Sequence, residues 1–174
     1  MRRLILLLML AGCAVPQPDA TPPRPVAAVE LGRYAGLWHE AARLPIRFQD
    51  GPGLRCEATT AQYAPRPDGR LDVVNACVNA LAEGRPRREA RGVAYAVEGS
   101  AGARLRVSFF RPFYGDYWVI GLDSDYRWAV VGSPRRDTLW ILSRTPRMAE
   151  DDLAAAIAIA RREGFAVERL QRAE

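Results

Sequence analysis

Few side chains in this chain could do covalent or metal chemistry, and their spacing narrows what that chemistry is. There is one histidine, His39, inside "GLWHEAARLP" (residues 36–45), and there are three cysteines, Cys13, Cys56 and Cys77. A single imidazole cannot build a His-rich metal site and leaves few nucleophile–base triads. No glycine-rich phosphate loop and no nucleophile elbow follows a strand-like run. Neither Cys56 nor Cys77 looks like an activated thiolate. The reading is therefore not an enzyme, with no metal and no cofactor expected. Attachment and cross-linking suit the three thiols better.

Cys13 ends the first segment. Arg2 and Arg3 form a positive start, and Leu4 to Ala11 an apolar run too short to span a bilayer as a helix. The ending "LAGC" resembles a bacterial lipobox, which implies that residues 1–12 are a lipoprotein signal peptide and that Cys13 carries the lipid. Ala14 in place of an Asp would then direct the product to the outer membrane, lipid-anchored at its periplasmic face. The alternative is an ordinary secretory peptide with a chance cysteine. Residues 14–28 contain five prolines and no apolar periodicity, so 13–29 is expected to be a lipidated Cys followed by an extended tether. In an exported, oxidising compartment Cys56 and Cys77 are an even pair. Between them "PDG" (67–69) signals a turn, and antiparallel folding about it brings the two near one another. A disulfide there would contribute about 3 kcal/mol in the chain-entropy model; two free buried thiols are the alternative.

The elements that must position these groups follow from pattern. At 174 residues, 49% hydrophobic and 26% charged, the chain suits one globular domain, read as residues 30–174. Its net charge of +5 comes entirely from scattered Arg, with no Lys. No clustered footprint for nucleic acid is present. In "RLRVSFF" (104–110) Leu105, Val107 and Phe109 alternate with polar residues, the period of a half-buried strand. "CEATTAQYA", "RLDVVNACVN", "RGVAYAV", "DYWVIGLD", "YRWAVVG" and "TLWILSR" read likewise, with turns between them. Many short strands without intervening helices predict an antiparallel sandwich or barrel. One helix is expected from Glu150, where Leu153, Ala156, Ile157 and Ala160 share a face, with Gly164 as its stop and Phe165 folding back.

Three stretches in order then carry a resemblance. "GLWHEAARLP", "YGDYWVIGLDSDYRWAVVG" and "LWILSRTP" are similar to the three conserved regions of the lipocalin family, in its bacterial outer-membrane lipoprotein branch. The resemblance implies an all-β fold: an eight-stranded antiparallel up-and-down barrel with a 3₁₀-like lead-in at its closed base and one C-terminal α-helix packed outside. It implies that Trp38 floors the barrel, that the Arg144 guanidinium lies on its indole, and that Gly36 permits the tight start of the strand. The family more often has Tyr where His39 stands; alternation turns His39 outward.

A barrel of this size encloses room for one small ligand. Alternation from Trp38 turns Glu40 and Ala42 inward, and alternation from Arg144 does the same for Trp140 and Leu142. Val107 and Phe109 come from "RLRVSFF", and Tyr114 and Tyr117 are assigned to the mouth. Tyr63 and Trp128 complete the candidate ligand-binding set, with the face of Trp128 left open. Plain core packing is the competing explanation for each. Pairing Cys56 with Cys77 puts Tyr63 opposite Arg70 without a clean apolar face, so a bulge is expected near Gly69. The resemblance implies a fatty acid or lysophospholipid ligand, held for storage or transport near the outer membrane, with a role when the envelope is under stress. A structural or adaptor lipoprotein without a usable cavity is the alternative, and homodimer formation is left open.

Overall fold

The computed structural model describes residues 21–173; Cys13, the segment 1–12 and the first part of the expected tether lie outside them. Eight antiparallel strands follow one another: β1 (Gly36–Arg43), β2 (Cys56–Pro65), β3 (Leu71–Asn79), β4 (Arg87–Ala96), β5 (Arg104–Phe110), β6 (Phe113–Leu122), β7 (Trp128–Gly132) and β8 (Leu139–Ser143). Each pairs with its neighbour in sequence, and β1 pairs with both β8 and β2, so the sheet closes into a barrel. A ninth strand, β9 (Gln171–Arg172), adds to the end of β1. Closure removes the free edges that make an open sheet prone to aggregation.

Alternation divides the apolar residues into two cores. Inside the barrel, Trp38, Tyr63, Val73, Leu105, Val119 and Val131 are among the buried residues of one cluster. Outside, helix α2 (Glu150–Arg162) buries Leu153, Ala156 and Ala160. They pack against the outward residues of the adjoining strands, including Ile120, Val130 and Ile141. Acidic residues in the first turn and Arg161 and Arg162 in the last complement the helix dipole. Gly164, at φ +83°, ends the helix. Phe165 then folds back onto β7, where its ring occupies the space a side chain on Gly132 would need.

Four expectations are corrected. The lead-in at the base is a single α-helical turn, α1 (Leu31–Tyr34), because Tyr34 N–H reaches Glu30 O and Ala35 N–H reaches Leu31 O. The proline-rich stretch does not stay clear of the domain up to residue 29. Pro23 is fully buried, and Val26 N–H bonds Val119 O, so residues 21–29 run along the barrel wall. Ala42 faces α2 rather than the interior, because β1 has a bulge between Glu40 and Ala42 that reverses the alternation. The bulge in the β2–β3 hairpin sits between Glu57 and Thr60, with Ala58 at φ +47°, and not near Gly69. Tyr63 therefore opposes Val73, and both side chains join the inner core.

Candidate ligand-binding site

The closed end of the barrel is built on Trp38. Its indole is fully buried, and its Nε1 donates to Tyr34 O at 2.8 Å. The Arg144 guanidinium lies 3.8 Å from the ring centroid. The same guanidinium donates to the carbonyls of Arg33 at 2.7 Å and Leu37 at 2.9 Å, tying α1 and β1 to the end of β8. Gly36 lies at φ +95°, the left-handed region, and a Cβ there would stand 3.3 Å from Arg144 Nη1.

Above this floor three tyrosines meet. Tyr34 and Tyr117 share a hydrogen bond between hydroxyls at 2.7 Å, and the Tyr63 hydroxyl donates to Tyr117 at 2.9 Å. Burial pushes the Tyr63 hydroxyl up to about 12 and raises those of Tyr34 and Tyr117 well above the usual phenol range. All three stay protonated and neutral, a buried polar seam across the bottom.

Over the seam opens a cavity of about 750 Å³, lined mainly by apolar groups that include Ala61, Val73, Val107 and Leu142. A side pocket of about 360 Å³ adjoins it, bounded by the disulfide-bonded Cys56 and Cys77. Thr59 and Asn75 border both spaces, and Thr59 Oγ1 and Asn75 Oδ1 are buried without a hydrogen-bond partner. Such atoms carry a desolvation penalty that a ligand's polar group would relieve.

One wall is charged. Glu40 lines the cavity and accepts from Arg43 Nη1 at 2.5 Å and from Gln49 Nε2 at 2.8 Å. Arg43 also donates through Nε to Asp50 at 2.9 Å and pairs with the same carboxylate through Nη2. Gln49 Oε1 accepts from Trp140 Nε1 at 2.9 Å. Burial pushes the Glu40 carboxyl up, against the attraction of Arg43 and the bond from Gln49. Burial also works against the charge of Asp50, but hydrogen bonds from Arg43 and from Ile46 N–H hold its carboxyl below the usual range. This network clamps the β1–β2 loop over one side of the mouth. Among the described residues no three His, Cys, Asp or Glu side chains gather as a metal site.

A cup with a Trp–Arg floor and a single outer helix invites comparison. The family model of the lipocalin-like domain matches residues 29–174. The chain is 43% identical over 166 residues to the "Outer membrane lipoprotein Blc" of Escherichia coli (strain K12), covering 91% of this chain and 86% of that protein. The protein of that name in Vibrio cholerae is 39% identical over 174 residues, covering 98% and 96%. The chain belongs to the lipocalin family. Its localisation is that of these relatives, the outer membrane. The plant protein "Temperature-induced lipocalin-1" of Arabidopsis thaliana is 36% identical over 84% of this chain and 80% of its own. Among solved structures, insecticyanin from the tobacco hornworm superposes with a TM-score of 0.68 at 17% identity, covering 90% of this chain and 85% of that one.

In this lipocalin, Glu40, Tyr63, Val107, Trp140 and Leu142 all border the cavity. Phe109 sits at its rim, its ring resting where a side chain on Gly92 would otherwise stand. Tyr114 and Tyr117 border the cavity too, but the placing of three residues differs from expectation. Trp128 faces the outer core beside α2, because β7 turns Ala129 and Val131 inward. Tyr117 belongs to the floor and not the mouth: it pairs with Leu105, two residues nearer the base than Val107. Tyr114 touches the opening, but its ring lies 5.4 Å from that of Tyr95, on the outer face that the inward Ala94 and Ala96 leave to Tyr95. His39 is half-buried and paired with Ser143.

Arg43, Gln49, Thr59 and Asn75 were missed. Glu40 and Arg43 are three residues apart, which on a regular strand means opposite faces; only the bulge brings them together. Gln49 comes from an irregular loop with no periodic signal. Thr59 and Asn75 lie on a hairpin whose register is set by the bulge between Glu57 and Thr60, which no turn residue marks.

Proposed function

We propose that this lipocalin binds a single-chain amphiphile, a fatty acid or lysophospholipid, and stores or moves it at the outer membrane. The observation that carries the reading is the cavity of about 750 Å³, open at one end and mostly apolar, a size and character typical of small-molecule sites. Each methylene buried there contributes about 0.8 kcal/mol. A ten-carbon length therefore contributes about 8 kcal/mol before the costs of ordering are subtracted. The unpartnered Thr59 Oγ1 and Asn75 Oδ1, with the side pocket behind them, favour a ligand that also has a polar group. An open cavity of this volume argues against an adaptor with a solid barrel. A role when the envelope is under stress is part of the same proposal, and acids of palmitate length are the first ligands to test. A binder is favoured over an enzyme because the tyrosine hydroxyls at the floor are hydrogen-bonded to one another and the Glu40 carboxylate is ion-paired.

In this reading residues 1–12 are a signal peptide and Cys13 carries the acyl groups that hold the protein at the periplasmic face. Displacement of an environment-sensitive fluorescent fatty acid by lysophospholipid tests the ligand class; micromolar lysophospholipid that displaces nothing would rule it out. Intact mass after detergent extraction tests the anchor, and a Cys13 without added lipid would end that part of the proposal. Sedimentation of the detergent-free domain decides whether it forms a homodimer.

A further inference from the structure

The two ends of the barrel differ in how much large apolar surface they expose. Seven large apolar residues are exposed among those described: Leu37, Phe48, Leu81, Tyr95, Phe109, Phe110 and Phe113. Five of them, Phe48, Leu81, Phe109, Phe110 and Phe113, belong to the loops and strand ends around the mouth. Phe110 and Phe113, paired across the β5–β6 turn, are 81% and 73% exposed, and Phe48 in the β1–β2 loop is 60% exposed. Exposed Arg47 and Arg111 stand next to them in the chain. Charged and turn residues occur in the loops at both ends, but the base loops "RPDGR" (66–70) and "DSDYR" (123–127) hold none of these exposed apolar residues. A concentrated aromatic patch on an exported domain marks a binding surface, and aromatic residues with adjacent cations suit the headgroup–acyl boundary of an anionic bilayer.

The path of the N-terminal segment says which surface this is. From the base at α1 the chain runs backwards along the wall, through Val26 bonded to Val119, to Thr21. Arg136 Nη2 donates to Thr21 O at 2.7 Å, and Arg136 belongs to the β7–β8 loop, other residues of which border the cavity. Thr21 therefore lies at the mouth end. Cys13 precedes it by eight residues, a span of at most about 28 Å. The tether of an acylated Cys13 therefore joins the domain at the mouth end and not at the base.

We propose that the aromatic rim docks mouth-down on the bilayer in which Cys13 is anchored, so that lipid passes between membrane and cavity without crossing water. This rests on the reading of Cys13 as lipidated and of the cavity as a lipid site. The acylated full chain in vesicles of phosphatidylethanolamine and phosphatidylglycerol (three to one) tests it, with photoreactive benzoylphenylalanine placed at position 113 or, at the base, position 70. Lipid adducts at least tenfold more abundant at 113 support docking. Equal adducts at both positions, or cross-linking of 113 to a second copy of the chain, overturn it. As an independent measure, Phe110→Ser with Phe113→Ser should slow transfer of a fluorescent fatty acid out of these vesicles at least tenfold; an unchanged transfer rate overturns the proposal. Equilibrium binding of the same fatty acid from solution separates the two readings. Its absence in the parent protein defeats the carrier reading, while the cross-linking pattern still decides the docking.

Discussion

Replacing Arg144 by Met keeps an apolar stem over Trp38 but removes the cation, and the structure sets the cost. The guanidinium sits 3.8 Å from the indole centroid, an arrangement worth about 1 kcal/mol where partly desolvated. It also donates to Arg33 O, Leu37 O, Tyr34 O and Tyr126 O. Tyr34 O keeps a second donor in Trp38 Nε1, and the bonds to Arg33 and Leu37 lie where water can replace them. Exchanging the guanidinium for water at Arg33 O and Leu37 O leaves a net loss of about 1 kcal/mol for each of these two charged bonds. The total is about 3 kcal/mol, which for a domain of this size lowers Tm by about 9 °C. Thermal and urea unfolding, followed by tryptophan fluorescence, measure it. Fatty-acid affinity, measured well below Tm, should stay at the parent value, because Arg144 does not border the cavity. A variant whose Tm stays within about 1 °C of the parent, or one that loses affinity at unchanged stability, would refute the view that this residue closes the base and nothing else.

Three other perturbations address the cavity. Val107→Trp, from a side chain that lines it, should weaken fatty-acid binding at least tenfold in a fluorescence titration without lowering Tm; unaltered affinity would mean the ligand sits elsewhere. Glu40→Gln probes the charged wall. Burial raises the Glu40 carboxyl above its ordinary value of 4.5, so its contribution to stability is fully present below pH 4.5 and is lost as pH rises through the raised folded value. The deficit of the Gln variant relative to the parent in urea titrations should therefore shrink between pH 4.5 and 7.5, and a deficit that grows over that interval would contradict the assignment. Thr59→Val with Asn75→Leu removes two buried polar groups that lack partners. Stability should hold or rise, since nothing satisfied is lost, while affinity for lysophospholipid falls more than affinity for fatty acid in displacement; equal changes for the two lipids would move the headgroup site away from these residues.

How much of this was legible depends on whether a residue's place follows from local rules. The strand "RLRVSFF" could be read because its alternation runs unbroken from Leu105 to Val107, and it matches β5 at both ends. The helix from Glu150 could be read because capping charges, an apolar face and Gly164 all agree. The Trp38–Arg144 floor came with the family resemblance: its partners are distant in sequence, but each lies within a recognisable motif. Parity failed wherever a strand gained a residue. The bulges in β1 and β2 turned Ala42 outward, joined Glu40 to Arg43 and moved Tyr63 from Arg70 to Val73. A bulge is one additional residue in a strand, and it reverses every face beyond it.

By itself, then, the chain determined its element types, their order and the pairing of Cys56 with Cys77 as one of two options. Those follow from periodicity, turn chemistry and composition, which act over a few residues at a time. Only the folded barrel decided that Trp128 serves the helix and not the ligand, that Tyr117 joins Tyr34 and Tyr63 at the bottom, and that residues 21–29 run along the wall between base and mouth. Each of these depends on which distant residues meet when eight strands close on one another, and closure is a property of the whole sheet that no local window contains.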